Sequence, residues 1–202
     1  MALWQSADPL VLASKSAVRR TMLEAAGLPV VVAPADIDER AIEARAGRLG
    51  AGEVAALLAR EKARVASGHG GPRFVVGADQ TLALGERRFT KPADRAAARD
   101  QLRALSGRTH ELHSAVAVAR DGRLLFSHVD VARLTMRPLS DRFLEAYLDD
   151  AGAAVTTSVG GYQLERLGVH LFERIDGDHF TILGLPLFAL LGFLRREGWL
   201  AG

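Results

Sequence analysis

The sequence predicts a mixed α/β protein with long antiparallel strands, and three features of the chain support this fold class. Short β-branched segments alternate with helical segments in the first half, which is the pattern of a sheet flanked by helices. Two long alternating segments then surround Asp121-Gly122, a dipeptide typical of a tight β-hairpin. Of the 202 residues, 49% are hydrophobic and 25% are charged, which is the composition of an ordinary globular protein.

The first half of the chain predicts alternating strands and helices. The first strand leads into a helix that begins at Ser14 or Ser16, because either side chain could cap it, and that ends before Gly27. Alanine is frequent in the second helical region, which glycines interrupt near Gly47 and Gly50. In chain order these segments are strand 10–13, helix 14–26, strand 30–33, helical region 43–67, strand 74–78 and helix 93–105.

The second half predicts the hairpin followed by smaller elements. Ser140 is placed to cap a helix, and Asp176-Gly177-Asp178 is typical of a turn. In chain order these segments are strands 109–119 and 123–134, helix 140–148, strand 168–175 and helix 186–197.

Composition and segment lengths exclude several classes of protein. The chain has no cysteine, which excludes a disulfide scaffold, a thiolate metal site and a cysteine nucleophile. No basic stretch precedes an apolar run at the N-terminus, so no secretory signal is expected. The longest apolar run, 183–194, is too short to span a bilayer. We therefore expect a cytoplasmic protein without a membrane partner.

The charge pattern does not favour nucleic-acid binding. The net charge is only +2, and all but three of the 26 basic residues are arginines, which are scattered among 24 acidic residues. Binding to RNA or DNA requires basic residues concentrated on one face. We expect no nucleic-acid partner.

The segment from Ser14 to Arg20 combines groups that bind anions. A helix that begins directly after a strand presents unpaired backbone N–H groups. Ser14 and Ser16 lie at that junction, and Arg19 and Arg20 follow in the first turn, where cations oppose the helix dipole. A bound phosphate would explain these arginines. The alternative is that the serines are ordinary caps and the arginines are solvated.

Asp79 and Lys91 are further candidates. Asp79 follows the buried strand 74–78, and α/β proteins place ligands and catalytic groups at the carboxyl ends of strands. A simple turn former is the alternative role for Asp79. Lys91 precedes Pro92 and is one of only three lysines in a chain that otherwise uses arginine. Lysine supplies a compact charge, which the planar guanidinium does not, so Lys91 is a candidate for binding phosphate.

Three more residues are candidates only in combination with those above. Glu39 ends an acidic loop and Lys62 lies on a helix beside other charged residues, so solvent exposure is the simpler interpretation of each. Glu165 follows the glycine pair in 158–162, and consecutive glycines allow the backbone to approach a ligand closely.

Together these motifs resemble the Maf family, nucleoside triphosphate pyrophosphatases that are also described as septum-formation inhibitors. The resemblance extends from Leu10 to about Arg196. Its motifs, in order, are Ala13-Ser14-Lys15-Ser16 with Arg19-Arg20, Asp36-Ile37-Asp38-Glu39, Glu61-Lys62-Ala63, Gly77-Ala78-Asp79-Gln80, Lys91-Pro92, Leu105-Ser106-Gly107, Gly160-Gly161-Tyr162 and Gly184-Leu185-Pro186.

The resemblance implies a fold and a reaction. The fold is an elongated α/β body with a curved mixed sheet and flanking helices, a single domain over 1–202 with two lobes around a central cleft, as in ITPase-like proteins. The reaction is attack of water at the α-phosphorus of a nucleoside triphosphate, assisted by Mg²⁺ or Mn²⁺, which releases the monophosphate and pyrophosphate. A homodimer is expected.

The resemblance also assigns roles to residues. Asp79 becomes the catalytic base, since the family places its acid there, and three carboxylates become metal ligands. Those ligands are Glu39, Asp79 and Glu165. The residues expected to bind substrate are Ser14, Ser16, Arg19, Arg20, Lys62, Gln80 and Lys91.

The preferred base stays open in the sequence. Asp79-Gln80 matches the branch of the family that acts on 7-methyl-GTP, whereas the pyrimidine branch has threonine after the aspartate. Thr109-His110 and the strand 114–117 are more similar to the pyrimidine branch. We expect 7-methyl-GTP or another modified or purine nucleotide to be preferred. The alternatives are an enzyme that prefers dTTP or UTP, and a regulator of cell division that binds nucleotide without cleaving it.

Overall fold

A seven-stranded mixed sheet forms the centre of the computed structural model, which describes residues 3–45, 47–68 and 73–202. The strands are β1 (Leu10–Leu12), β2 (Val30–Val32), β3 (Val75–Leu84), β4 (Arg87–Phe89), β5 (Thr109–Arg120), β6 (Arg123–Met136) and β7 (Phe172–Asp176). The helices are α1 (Ala17–Ala25), α2 (Glu39–Arg45), α3 (Ala51–Ser67), α4 (Arg95–Leu105), α5 (Asp141–Ala151), α6 (His179–Ile182) and α7 (Leu187–Arg196). The mixed α/β class is confirmed.

The sheet has the strand order β2-β1-β3-β5-β6-β7, with β4 paired to β3 outside this path. β1 is parallel to β2 and β3, whereas the remaining pairs are antiparallel. β1 pairs with β3 only at Val75 and Val76, and β4 begins to pair at Leu82. Within the described chain, residues 77–81 therefore have β5 on one side and no strand on the other.

Local chemistry explains most of the predicted elements. Ser16 is the cap of α1, because its Oγ accepts a hydrogen bond from the backbone N–H of Arg19 at 3.4 Å. The hairpin of β5 and β6 turns at Asp121 and Gly122, whose φ angles of 52° and 74° are those that this two-residue turn requires. These two predictions from short-range signals are confirmed.

Several predicted boundaries are wrong. β3 does not end at Asp79 but continues to Leu84, because the pairing with β5 extends past it to Ala83. Glu39 begins α2 instead of ending a loop. Residues 168–171 belong to a 3₁₀ helix, Leu167–Leu171, and only then does the chain enter β7. The sequence also gave no signal for β4 or for the four-residue helix α6.

The two faces of the sheet are packed differently. Beneath α3 the buried cluster consists of alanines only, Ala55, Ala56, Ala59 and Ala63 against Ala115, Ala117 and Ala119. On the opposite face, Val76 and Ala78 of β3 enter one large apolar cluster and Leu82 enters another. The sheet runs through both clusters, which is compatible with a single domain of two lobes; that arrangement stays a prediction.

Within the described ranges, no helix has the combination of length and apolar character that a bilayer-spanning segment needs.

Candidate active site

A lysine bridges two carboxylates where α2, α3 and β3 meet. The ammonium Nζ of Lys62 lies 2.6 Å from Asp79 Oδ1 and 2.8 Å from Glu39 Oε1. The side chains of Lys62 and Asp79 are 11% and 12% exposed, whereas that of Glu39 is 50% exposed. We call these three residues the Lys62 bridge. Three predicted site residues from distant parts of the sequence are thus brought together, and the solvated interpretation of Lys62 is wrong.

The close approach of α3 to β3 makes this bridge possible. Gly77 precedes Asp79 by two residues and therefore lies on the same face of the strand. A Cβ atom added at Gly77 would lie 2.6 Å from the backbone nitrogen of Ala63, so the helix backbone packs directly on the strand. Because Lys62 adjoins Ala63 on that helix, its side chain is within reach of Asp79.

Burial dominates the electrostatics of Asp79. Loss of solvent raises the pKa of the Asp79 carboxyl, and the charges of Lys62 and Arg19 oppose this rise without cancelling it. The nearby Glu39 adds a smaller contribution in the same direction as burial. A carboxylate with a raised pKa holds a proton more readily, which suits a group that accepts one from water.

Arg19 is fixed at the open edge of β3. Its Nη1 donates to the carbonyl oxygen of Ala78 at 2.9 Å and to Ser14 Oγ at 3.2 Å, and its Nε donates to the carbonyl oxygen of Gly184 at 2.8 Å. The guanidinium thus binds an edge carbonyl where β3 has no neighbouring strand. Burial lowers the pKa of Arg19, and the charges of Asp79 and Glu39 oppose this, yet a guanidinium stays protonated in proteins.

The two serines of the first motif have different roles. Ser14 is buried, and its Oγ accepts from the backbone N–H of Ser16 at 3.3 Å as well as from Arg19. Ser16 caps α1. Both serines, Arg19 and the start of α1 therefore lie together, as the sequence predicted, at the end of β1.

Gln80 lies on the face of β3 opposite to Asp79, because consecutive residues of a strand point to opposite faces. Its Nε2 donates to Ser114 Oγ at 2.9 Å and to the carbonyl oxygens of Ile182 at 2.9 Å and Thr181 at 3.2 Å. Two backbone carbonyls require a donor, which fixes the orientation of the amide. Gln80 thus contacts the α6 segment and does not lie beside the carboxylate of Asp79.

Sequence reasoning missed two polar residues of this second face. Ser114 and Thr181 are fully buried, and Ser114 Oγ donates to the carbonyl oxygen of Thr181 at 2.6 Å. The hydroxyl of Thr181 in turn lies 3.1 Å from Asp130 Oδ2. A signal for Ser114 was available, since it occupies an inward position of β5 between Leu112 and Val116, where an apolar residue is the rule.

Arg20, Lys91 and Glu165 are exposed. Arg20 pairs with Glu24 one turn along α1, at 2.7 Å. Lys91 lies in the loop before α4, and Glu165 lies in a turn between two 3₁₀ helices. Among the described residues, no hydrogen bond or ion pair connects any of the three to the Lys62 bridge.

The predicted metal ligands are brought together only in part. Among the described residues, no three Asp, Glu, His or Cys side chains form a group that could hold a metal ion. Glu39 and Asp79 nevertheless converge on one positive nitrogen, and carboxylate oxygens are the donors that Mg²⁺ and Mn²⁺ prefer. Mg²⁺ commonly takes one or two carboxylates together with water and substrate phosphate, so this pair fits such an ion.

Comparison with known proteins identifies the family. A family model described as "Maf-like protein" matches residues 9–197. A protein of Rhodopseudomonas palustris named "Nucleoside triphosphate pyrophosphatase" is 61% identical over 201 residues, which is all of both chains. A protein of Rhizobium etli named "7-methyl-GTP pyrophosphatase" is 51% identical and covers 96% of this chain and 98% of its own.

A solved structure was also found. It is described as a HAM1 protein from Coxiella burnetii, with a TM-score of 0.43, 21% identity, and coverage of 63% of this chain and 72% of that one. This similarity is too low to support an argument. The family model and the full-length relatives suffice without it: the chain belongs to the Maf family.

Proposed function

We propose that this protein hydrolyses nucleoside triphosphates to the nucleoside monophosphate and pyrophosphate. The observation that carries the proposal is the bridge of Lys62, Asp79 and Glu39 beside Arg19. A relative that is 61% identical over its full length is named a nucleoside triphosphate pyrophosphatase, which supports the same reaction. The bridge and Arg19 together supply carboxylates for activating water and cations for binding phosphate in one place.

Positive groups around the open edge of β3 bind the triphosphate. A nucleoside triphosphate carries about four negative charges near neutral pH, and cleavage places more charge on the leaving pyrophosphate. Arg19 and Lys62 supply fixed and flexible positive charges, and the backbone N–H groups at the start of α1 supply donors. Ser14 and Ser16 position this helix start.

Asp79 acts as the base. It accepts a proton from the attacking water, whose oxygen forms a bond to the α-phosphorus while the bond from that phosphorus to the bridging oxygen breaks. The pyrophosphate departs with the bonding electrons, and water is consumed once per turnover. The position of Asp79 beside Lys62 and Arg19, the groups proposed to bind phosphate, supports this role.

Glu39 and Asp79 are the residues that would hold a divalent cation, Mg²⁺ or Mn²⁺, with Glu165 as the third proposed ligand. Bound there, it would supply positive charge to the phosphates and make a nearby water easier to deprotonate. Among the described residues, Glu165, Arg20 and Lys91 make no hydrogen bond or ion pair with the bridge, so we propose that they act by contact with the substrate.

The preferred base is proposed to be 7-methylguanine or another modified or purine base. The relative named a 7-methyl-GTP pyrophosphatase supports this preference, as does the Asp79-Gln80 dipeptide. Since Gln80 contacts the α6 segment, we propose that it acts on base selection through that segment. The homodimer and the cytoplasmic location are likewise proposals, and they rest on the family resemblance and the sequence.

A panel of triphosphates tests the activity. 7-Methyl-GTP, GTP, dTTP, UTP, CTP and ATP are each incubated with the protein and Mg²⁺ or Mn²⁺, and pyrophosphate and nucleotide products are separated by chromatography. We expect monophosphate and pyrophosphate as the first products. Nucleoside diphosphate with orthophosphate would contradict the proposed reaction. Tight nucleotide binding without any product would favour the regulator of cell division.

A further inference from the structure

Lys62 occupies the point on which the two carboxylates of the site converge. Asp79 Oδ1 and Glu39 Oε1 both lie within 2.8 Å of its Nζ. The proposed function asks two things of these residues, since the carboxylates should hold a divalent cation and Lys62 should hold phosphate. In the arrangement of the free protein, the ammonium fills the place between the carboxylates.

We propose that Lys62 is a placeholder for the divalent cation: its ammonium neutralises Asp79 and Glu39 in the free enzyme and leaves them for the substrate phosphates when the metal and nucleotide bind. This inference rests on the proposed function, because it assigns a change of partner to residues of that same site. It predicts that Lys62 and the divalent cation compete for the two carboxylates.

The charges favour such an exchange. Two neighbouring carboxylates, one of them buried, require a nearby cation, because the charge that each carries is unfavourable for the other. The ammonium supplies one positive charge, and a divalent ion supplies two. The exchange therefore makes the carboxylate pair neutral overall and frees one positive charge for the phosphates.

The surroundings of the two cations of the site also differ. Arg19 is held by Ser14, Ala78 and Gly184 in three separate hydrogen bonds, so it is not free to move. Lys62 is held at its charged end by two carboxylates, and one of these belongs to the half-exposed Glu39. A lysine has a flexible stem and a single-point charge, whereas an arginine would hold a carboxylate through a two-pronged contact. This difference explains a lysine at position 62 in a chain with 23 arginines.

Metal affinity without nucleotide tests the competition. Mn²⁺ binding is measured by electron paramagnetic resonance for the wild type, Lys62→Met and Arg64→Met. Arg64 is the matched control, because it lies two residues along the same helix, is half exposed and pairs with Glu61. We expect Lys62→Met to bind Mn²⁺ about tenfold more tightly than the wild type or better, and Arg64→Met to change the affinity by less than about twofold.

Two results would overturn the proposal. One is Mn²⁺ affinity in Lys62→Met equal to or weaker than in the wild type, including undetectable binding in both. The other is an equal gain in Arg64→Met, which would show a general effect of net charge. If Lys62→Met does not fold, as judged by circular dichroism, Lys62→Gln replaces it, because glutamine keeps a neutral donor for the buried carboxylate.

The wild-type protein offers a second measurement. Labelling with ¹³C- and ¹⁵N-lysine gives side-chain signals from Lys15, Lys62 and Lys91 only, since these are the three lysines of the chain. On titration with Mg²⁺ alone, we expect the Lys62 signal to shift and saturate while the signals of Lys15 and Lys91 stay in place. A Lys62 signal that does not move, or three signals that move alike, would contradict the exchange.

The experiments distinguish failure of the proposed function from failure of the placeholder role of Lys62. Pyrophosphate release by the wild type tests the proposed function and does not depend on where Lys62 lies. Release of pyrophosphate together with unchanged Mn²⁺ affinity in Lys62→Met would remove the placeholder role alone. Absence of pyrophosphate release from every nucleotide would remove the proposed function, whereas the metal measurements would still report whether Lys62 competes for the carboxylates.

Discussion

The two faces of the sheet around β3 and β5 differ in both packing and charge. The face toward α3 is lined by alanines and by Gly77, and it carries the charged groups Asp79 and Lys62. The opposite face is covered by large apolar clusters, and its polar side chains, such as Gln80 and Ser114, are hydrogen-bonded within the protein.

This difference shows how neighbouring residues in one motif come to have different roles. Small side chains allow α3 to approach β3 closely, which brings an ammonium to a buried carboxylate. Large side chains on the other face keep solvent away, so polar groups there must find partners within the protein. Asp79 and Gln80 are adjacent in sequence, yet Asp79 lies on the face toward α3 and Gln80 lies on the apolar face.

The largest expected effect concerns the charged face. Asp79→Asn should lower kcat by about a hundredfold or more, because the amide cannot accept the proton from water. The substitution is nearly isosteric, so we expect the fold and some nucleotide binding to persist. Pyrophosphate release and circular dichroism check both parts. A kcat close to that of the wild type at saturating metal would show that the base is another group.

The packing of the charged face gives the second prediction. Gly77→Ala places a methyl group against the backbone of α3, and the helix must move, which should cost about 3 kcal/mol of unfolding free energy and separate Lys62 from Asp79. Chemical denaturation and pyrophosphate release measure the two effects. Gly192→Ala is the control, because the nearest neighbour of its added Cβ among the described residues is the flexible end of Arg196 at 3.7 Å. Stability of Gly77→Ala equal to that of this control would contradict the close approach.

A buried histidine on the apolar face should make the stability of the protein depend on pH. His110 is fully buried there, bonded through Nε2 to the hydroxyl of Tyr162 at 2.7 Å, and burial lowers the pKa of His110 from 6.5 to about 4. Between these values the unfolded chain binds a proton that the folded protein does not, so stability falls as pH falls. The loss from this residue between pH 7 and pH 5 is about 2 kcal/mol.

Denaturation at pH 7 and pH 5 measures this effect. In His110→Gln the difference in stability between the two pH values should shrink by about that amount, because glutamine does not titrate. The same substitution at the exposed His128 is the control. An unchanged pH dependence in His110→Gln would show that His110 is not the group responsible.

The smallest expected effect is one of selectivity. In Gln80→Thr the shorter side chain cannot reach both carbonyls of the α6 segment. We therefore expect kcat/KM to shift several-fold toward dTTP and UTP. A buried polar group left unpaired costs about 1–3 kcal/mol, which is enough for a shift of this size. The ratio of kcat/KM for 7-methyl-GTP and UTP measures this. A wild type that strongly prefers dTTP and UTP would refute the choice of branch and leave the pyrophosphatase reaction intact.

Features that depend on residues close together in the sequence could be predicted, whereas features that depend on distant residues could not. The cap at Ser16 and the turn at Asp121-Gly122 depend on neighbouring residues, and both were predicted. The gathering of Glu39, Lys62 and Asp79 depends on the approach of α3 to Gly77, which no local pattern encodes, and only the family resemblance pointed to it.

The errors have a similar origin. The apolar run 74–78 predicts a strand that ends at Asp79, but pairing with β5 carries the strand on through Ala83. Once the strand continues, Gln80 must face away from Asp79, and this separates two residues that the motif joins. Ser114 and Thr181 escaped notice because their partners lie far away in sequence.

The short contact between β1 and β3 has a consequence for how the molecule opens. β1 joins β3 over two residue pairs, and β2 forms the outer edge with Val31 and Val32 exposed, whereas β3 and β5 are joined from Val75 to Ala83. Hydrogen exchange should therefore be faster in the exposed edge strand β2 than in β3 and β5, because local opening of an edge strand does not require the whole chain to unfold. Arg19 follows β1 in the chain, but its guanidinium is tied to β3 through the carbonyl oxygen of Ala78. The outer edge of the sheet can thus open while Arg19 and the Lys62 bridge stay assembled.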